Sequence, residues 1–441
     1  MAHTWYMATS MPAPAGELSA DSWYGLIIAV YVLASIIGMA WVGKRIDEIS
    51  PLQVLQTGAA FFASGLVLAM LSQHTAVFVV ARILQGIGGG IGWTLSFSLV
   101  SLLCPPEAKS RAIAAMDVAW TVPSLLAPLI GGMLIDHFHW RWIFALQLLP
   151  VAISLLLIAP RIRHLNKPVA PYSLWYQLTL VFDACSIAVG TGLLLYALGQ
   201  PLGLVWALLP VAALIVYTPL RRCMPEHWLL LRDPLSASLF TAMMGFLVFY
   251  GLEAWQPLYL MELKGFSSLT AGLALTAASV CWMLSSQMTA HNLLPAMLQS
   301  YSARLVFGMS ILTFSMLLYA LLLINAAPAG FTYIVFSLAG LGMGLCFNTA
   351  RSTALAHTPA GKEGFVAGAI SLSVSLGLSL ATGIGGALRN HATAVGGELQ
   401  DAIELIWVFS MSMAVVTIAL LWWHHAAHGA KEFAVTALPS E

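Results

Sequence analysis

The sequence predicts an all-α protein that crosses a membrane many times. Three observations carry that reading. Of 441 residues, 60% are hydrophobic and 8% charged, and the mean hydropathy is +0.87; an ordinary soluble domain carries roughly 25% charged residues. Apolar runs recur along the chain, most of about 20 residues and so able to cross a ~30 Å hydrocarbon core at ~1.5 Å per residue. The basic residues gather in alternate breaks between those runs. So few charges cannot cover a 47.2 kDa soluble protein, which excludes a water-soluble enzyme and a disordered chain. Eighteen Lys and Arg balance eighteen Asp and Glu, so no net field draws the chain to nucleic acid.

Thirteen runs read as spans: 22–43, 52–72, 76–102, 112–135, 142–160, 177–198, 202–219, 236–261, 267–290, 305–325, 329–350, 364–388 and 404–423. Charged or helix-ending residues separate them, as in Lys44-Arg45-Ile46-Asp47, Cys104-Pro105-Pro106-Glu107, Arg161 to Lys167 and Arg221 to Glu226. With Lys44 and Arg45 inside, fourteen of the eighteen basic residues fall on the cytoplasmic side, Arg351 among them. Only Arg141, Lys264 and Arg389 fall outside, and Arg82 lies within a span. The positive-inside rule then puts the N-terminus outside and the C-terminus inside. Met1 to Asp21 lacks the basic and apolar regions of a signal peptide. The five cysteines are scattered without a Cys-x-x-Cys pair, so neither a disulfide framework nor a thiolate metal site is expected.

The chain repeats itself. Leu84-Gln85-Gly86-Ile87-Gly88-Gly89-Gly90 returns 254 residues later as Leu338-Ala339-Gly340-Leu341-Gly342-Met343-Gly344. At the same offset Ala127-Pro128-Leu129-Ile130-Gly131-Gly132 returns as Ala381-Thr382-Gly383-Ile384-Gly385-Gly386, and Pro105 as Pro359. One helix–loop–helix unit thus stands in each half, the pattern of transporters whose halves rock about a midplane site. The offset sets Phe336 opposite Arg82.

These residues resemble the major facilitator superfamily, and within it the fourteen-span drug:proton antiporters. Arg82 to Gly89 is similar to the fourth-span motif, with Arg82, Gln85, Gly86 and Gly88 at its marked places. Ala127, Pro128, Gly131 and Gly132 match the fifth-span antiporter motif, with Ala127 in place of its first glycine. Trp140-Arg141-Trp142 resembles the entry to the sixth span, and Gln256-Pro257-Leu258-Tyr259 the start of the second half. Gly43 and Asp47 keep part of the loop signature, but Ser50, Pro51 and Leu52 stand where a glycine and two arginines belong. The resemblance therefore leaves this loop without the family's charge clamp. Thirteen spans with an outer N-terminus also match a fourteen-span member without its first span.

The expected organisation is an extracytoplasmic segment 1–21, an N-terminal helical half 22–160, a two-helix insertion 161–219, a linker 220–235, a C-terminal half 236–424 and a cytoplasmic tail 425–441. The resemblance implies a secondary transporter in the cell membrane, most simply a bacterial inner membrane. It would exchange small amphipathic compounds for protons, without cofactor, catalytic residue or metal; a metabolite exporter and a non-transporting paralogue are the alternatives. Its partners would be a small-molecule substrate, protons and the lipid bilayer, with no nucleic acid; a periplasmic adaptor is left open.

Arg82 and Glu253 are the candidate coupling residues, because a charge inside the bilayer needs a partner or a wet cavity. Arg82 could instead only tie helices together through carbonyls. Gln85, Gly89, Trp93, Trp120, Tyr250, Gln256 and Asn348 are the candidate cavity residues. Asp117 and Asp183 read as structural carboxylates near the positive ends of helices. His424 and His428 have zinc-binding spacing, but nothing completes a ligand set, and a basic tail is the expectation.

Overall fold

The computed structural model describes residues 17, 24–165, 174–198 and 202–436. Every one of the thirteen runs is helical, and no strand occurs among the described residues. The helices are α1 (Tyr24–Arg45), α2 (Pro51–Leu71), α3 (Thr75–Leu103), α4 (Pro106–His137), α5 (Arg141–Ile162), α6 (Leu174–Leu198), α7 (Leu202–Cys223), α8 (Pro234–Glu253), α9 (Gln256–Lys264), α10 (Ser268–Ala290), α11 (Tyr301–Leu323), α12 (Thr332–Ala356), α13 (Glu363–Ala394) and α14 (Leu399–Thr436). Among the described residues, ten spans are long and apolar enough to cross a membrane.

Local chemistry sets the boundaries. Ser50 caps α2 and Pro51 opens it; Asp233 and Ser236 form a capping box on α8; Ser267 and Ser300 cap α10 and α11. Each such side chain satisfies an amide that the helix leaves orphaned. The span expected at 236–261 is broken into α8 and α9. Pro257 has no amide proton for the carbonyl of Glu253 and its ring crowds that carbonyl, so α8 ends there.

The last helix departs from expectation. It runs past the last apolar run to Thr436, so 425–436 is helical. His424 bonds the Tyr301 hydroxyl (2.9 Å) and the Leu231 carbonyl (2.8 Å), and His425 the Ser302 hydroxyl (2.8 Å). These histidines hold α14 to α11. The His428 side chain lies outside the described residues, and no metal-holding group of three or more His, Cys, Asp or Glu occurs among them.

Two groups of helices share one packing rule. Within the first, α3 packs against α1 and α2; within the second, α12 packs against α10 and α11. The repeated glycines explain it. A side chain at Gly86 or Gly90 would strike the α1 backbone, and at Gly340 or Gly344 the α10 backbone. In lipid, where apolar contact between helices gains nothing over apolar contact with acyl chains, such close approach is what holds helices together. The central helices α8 and α13 are mostly buried, whereas α5 shows most of its surface to the outside.

The inserted pair sits at the seam: α6 touches both α1 and α13. Asp183 on α6 is buried, at 2.7 Å from Lys44 at the end of α1 and 3.1 Å from Arg222 at the end of α7. These two cations balance its charge, where the sequence suggested the positive end of a helix.

Candidate functional site

α4 leans away from its own group. Its inner stretch is bonded turn by turn to α10 and α12 of the other group. Lys109 donates to the Leu355 carbonyl (2.7 Å), Ser110 to Asn348 Oδ1 (2.8 Å), and Gln287 to the Ala114 carbonyl (3.1 Å). The series ends at Asp117, whose carboxylate accepts two bonds from Arg351 Nη2 (2.8 and 2.7 Å) and one from Ser286 Oγ (2.6 Å). Asn348 closes the network by donating to Ser286 (2.8 Å). Asp117 and Arg351 are 5% and 1% exposed, so nearly all their charge is balanced by each other.

Beyond Asp117 the helices part around a narrow, aromatic-lined cavity. Its floor is Asp117 and Arg351, and its walls are Trp120 and Thr121 of α4, Phe249, Tyr250 and Glu253 of α8, Trp282 of α10 and Phe347 of α12. The rings meet edge to face, Trp282 lying 5.7 Å from both Phe249 and Phe347, an arrangement that suits their quadrupoles. The Arg351 guanidinium lies over Phe347 at 4.0 Å. Glu253 is buried, and its Oε2 has no hydrogen-bond partner among the described residues. An open cleft, lined in part by Trp93, Ser96 and Trp120, shares Asp117 and Arg351 with the cavity.

Of the residues singled out from sequence, Trp120, Tyr250 and Glu253 meet in this cavity, and Trp93 stands in the adjoining cleft against Trp120 (ring centroids 5.0 Å apart). Gln256 is fully buried and donates to Thr332 at the start of α12, so it packs helices together and does not line the cavity. Asn348 likewise belongs to the network beneath the floor. Gly89 faces a separate groove between α2, α3 and α5. Ala127, Pro128, Gly131 and Gly132 fall within α4, but their surroundings lie outside the described residues.

Arg82 does not join Glu253. It donates to Gln85 Oε1 (2.6 Å) and to the Ile27 carbonyl (3.5 Å), and lies over the Tyr31 ring at 4.4 Å. Gln85 in turn donates to the Gly65 carbonyl (2.9 Å). This network ties α1, α2 and α3 together, which is the structural alternative weighed for Arg82. Gly43 and Asp47 stand at another seam. Asp47 accepts bonds from the amides of Gly364 (2.7 Å) and Phe365 (3.0 Å), capping α13 of the other group, and Gly43 lets α1 come against Gly368. The loop lacks its arginines, yet its carboxylate still holds the two groups together.

Two readings change here. Arg351 is no loop cation: it lies five residues inside α12 and is buried. Asp117 is not held by the helix dipole alone, since it sits eleven residues into α4 and is paired with that arginine. At the repeat offset Arg351 stands against Phe97, as Arg82 stands against Phe336, so neither arginine belongs to the shared packing pattern.

Residues 2–382 match the sequence profile of the Major Facilitator Superfamily. The chain belongs to that family. It is 22% identical over 430 residues to the multidrug efflux pump SdrM of Staphylococcus aureus, covering 93% of this chain and 92% of that one. It is 26% identical over 375 residues to the riboflavin transporter RibZ of Clostridioides difficile, covering 81% and 77%. It spans about half the length of two fission-yeast relatives that it also matches. In fold it is similar to the crystal structure of a bacterial homologue of the iron transporter ferroportin in an outward-facing state, with a TM-score of 0.67, 12% identity and 96% of each chain covered. The chain is thus a multi-pass membrane transporter of this superfamily.

Proposed function

We propose that this transporter exports small amphipathic compounds in exchange for protons. The observation that carries the reading is Glu253: a buried carboxyl, with one oxygen unpartnered among the described residues, on the wall of an aromatic cavity between two repeat-bearing groups. An intramembrane carboxyl facing a cavity is where a proton can load and unload as access alternates. Aromatic walls give a broad apolar surface with few fixed polar groups, suited to varied amphipathic cargo. The names of relatives such as SdrM support efflux. In this reading the end that carries Lys44, Arg111 and Arg222 faces the cytoplasm, the N-terminus lies outside and the C-terminus inside, and the groups 22–160 and 236–424 move as the two halves.

The test uses the purified transporter in vesicles. Glu253→Gln should abolish substrate-induced proton release while binding of a fluorescent lipophilic compound persists. Proton release equal to the parent's would reduce Glu253 to a packing residue. A second reading keeps the fold and takes a planar metabolite as cargo, supported by the ring-lined cavity and the relative RibZ. Counterflow of riboflavin, set beside that of ethidium, separates the two.

A further inference from the structure

The inserted pair is attached unequally to its two neighbours. Toward α1 it is fixed at two heights. Asp183 of α6 is buried and ion-pairs with Lys44 at 2.7 Å. Further along α6, Leu33 of α1 lies against Gly192, where an added side chain would meet it at 3.1 Å. Arg222 brings α7 to the same carboxylate at 3.1 Å, so one acid holds both inserted helices to the end of α1. Pulling Asp183 away from these cations would leave a buried charge without its partner, which is strongly unfavourable.

Toward α13 the contact is of another kind. Ala184 and Ile187 of α6 are buried in one apolar cluster with Val366 and Ile370 of α13, and Leu195 lies against Gly383. In a bilayer, acyl chains can replace apolar contacts of this sort at little loss. Nothing in hydrocarbon replaces the partner of a buried ion. The α1 side of α6 is therefore the fastened side, and the α13 side is the one that can slide.

The connection to the second half permits such sliding. Leu231 is held to that half, because its carbonyl is bonded by His424 of α14 at 2.8 Å. Between Met224 and Leu231 the chain is turn and not helix, with Leu229 and Leu230 about half exposed. A short turn thus joins α7 to α8, and no continuous helix transmits the position of one to the other. The two seams between the groups are also covered differently. Where α13 meets α1, α6 lies against both and turns Phe182 and Val189 outward. Where α4 meets α10, neither inserted helix packs among the described residues.

We propose that the inserted pair is a cover carried by the first half: held to α1 through Asp183, it moves with that half and slides on α13, keeping lipid out of the α1–α13 seam as the halves part. The proposal rests on the transporter reading only for the existence of two halves that part. It is independent of the cargo and of the role of Glu253.

The test is a set of three spin-label distances in the membrane-reconstituted protein, taken in neutral and acid buffer and with ethidium. The labels go on Gln53→Cys of α2, Tyr217→Cys of α7 and Phe307→Cys of α11, exposed positions near the basic ends of their helices. The five native cysteines are replaced by alanine. The Gln53–Phe307 pair, one position in each half, should show two distance populations. The Tyr217–Phe307 pair should show two as well, and the Tyr217–Gln53 pair a single one under every condition. Asp183→Asn should add a longer population to the Tyr217–Gln53 pair; if that variant does not insert, Lys44→Gln breaks the same bond from the other side. Two populations for Tyr217–Gln53 in the parent overturn the proposal, whether or not Tyr217–Phe307 also shows two. So does a Tyr217–Gln53 distance left unchanged when the bond to Asp183 is broken. A single fixed Gln53–Phe307 distance removes the parting halves and the proposal with them, and it is told apart from the other failures because that pair does not involve the insertion.

Discussion

α3 and α12 are the same helix written twice, and they differ most in where each keeps its arginine. In α3, Arg82 sits toward the end remote from the basic loops, and donates to Ile27 of α1 and to Gln85 of its own helix. In α12, Arg351 sits toward the other end and reaches across to Asp117 of the opposite half. At each arginine's position the other helix has phenylalanine, Phe336 and Phe97. The glycines that set helix packing are shared, and the charges are not. Duplication thus explains the scaffold, whereas function lies in what was changed afterward: one arginine consolidates a half, the other joins two halves.

The largest expected effect comes from breaking that joint. Asp117→Ala leaves Arg351 buried and unpaired, and should lower stability by about 3–5 kcal/mol, read as the midpoint of unfolding in mixed micelles. At the repeat offset Asp117 corresponds to Ser371, which accepts a hydrogen bond from Thr94 (3.0 Å), and Ser371→Ala should lower stability by at most about 1 kcal/mol. Equal losses at the two sites would erase the contrast between them. Next come the shared glycines. Gly86→Leu and Gly340→Leu each push a side chain into a neighbouring backbone, and each should lower stability by about 1–3 kcal/mol or more. Similar penalties in the two halves sharpen the comparison, and a penalty in one half alone breaks it.

The smallest effect lies at the start of α5. Glu17 pairs with Arg141 at 2.7 Å and accepts a bond from Trp140. The bond from Arg141, then that from Trp140, holds its carboxyl below the ordinary carboxylate range. A carboxyl with a depressed folded-state pKa adds stability above its unfolded value and loses it as pH falls through the folded one. The melting temperatures of the parent and Glu17→Gln should differ slightly at pH 7 and converge in acid. The gap should be small because the pair is exposed; a gap that widens in acid contradicts the assignment.

The spans could be read in advance because a bilayer demands apolar length, and every run from 22–43 to 404–423 became helix. The break before α9 was implicit in Pro257. Trp120, Tyr250 and Glu253 were recognisable as unusual groups inside apolar helices. The pairing of Asp117 with Arg351 was not, for a physical reason. Each lies within a few turns of a helix end, where a charge can equally reach the water or the lipid headgroups. Only tertiary packing turns it inward. Gln256 and Asn348 misled in the opposite sense: polar groups in apolar helices bond to neighbouring helices as readily as they face a cavity.

The central claim is that a proton gradient drives cargo through the Glu253 cavity. The direct measurement is accumulation of a lipophilic dye such as ethidium in vesicles that hold the purified protein, basic end outward and acidic inside, with and without collapse of the imposed pH difference. The account predicts accumulation in the parent that stops when the gradient is collapsed, and none in Glu253→Gln. Accumulation that is indifferent to the gradient, or unchanged in Glu253→Gln, would contradict it.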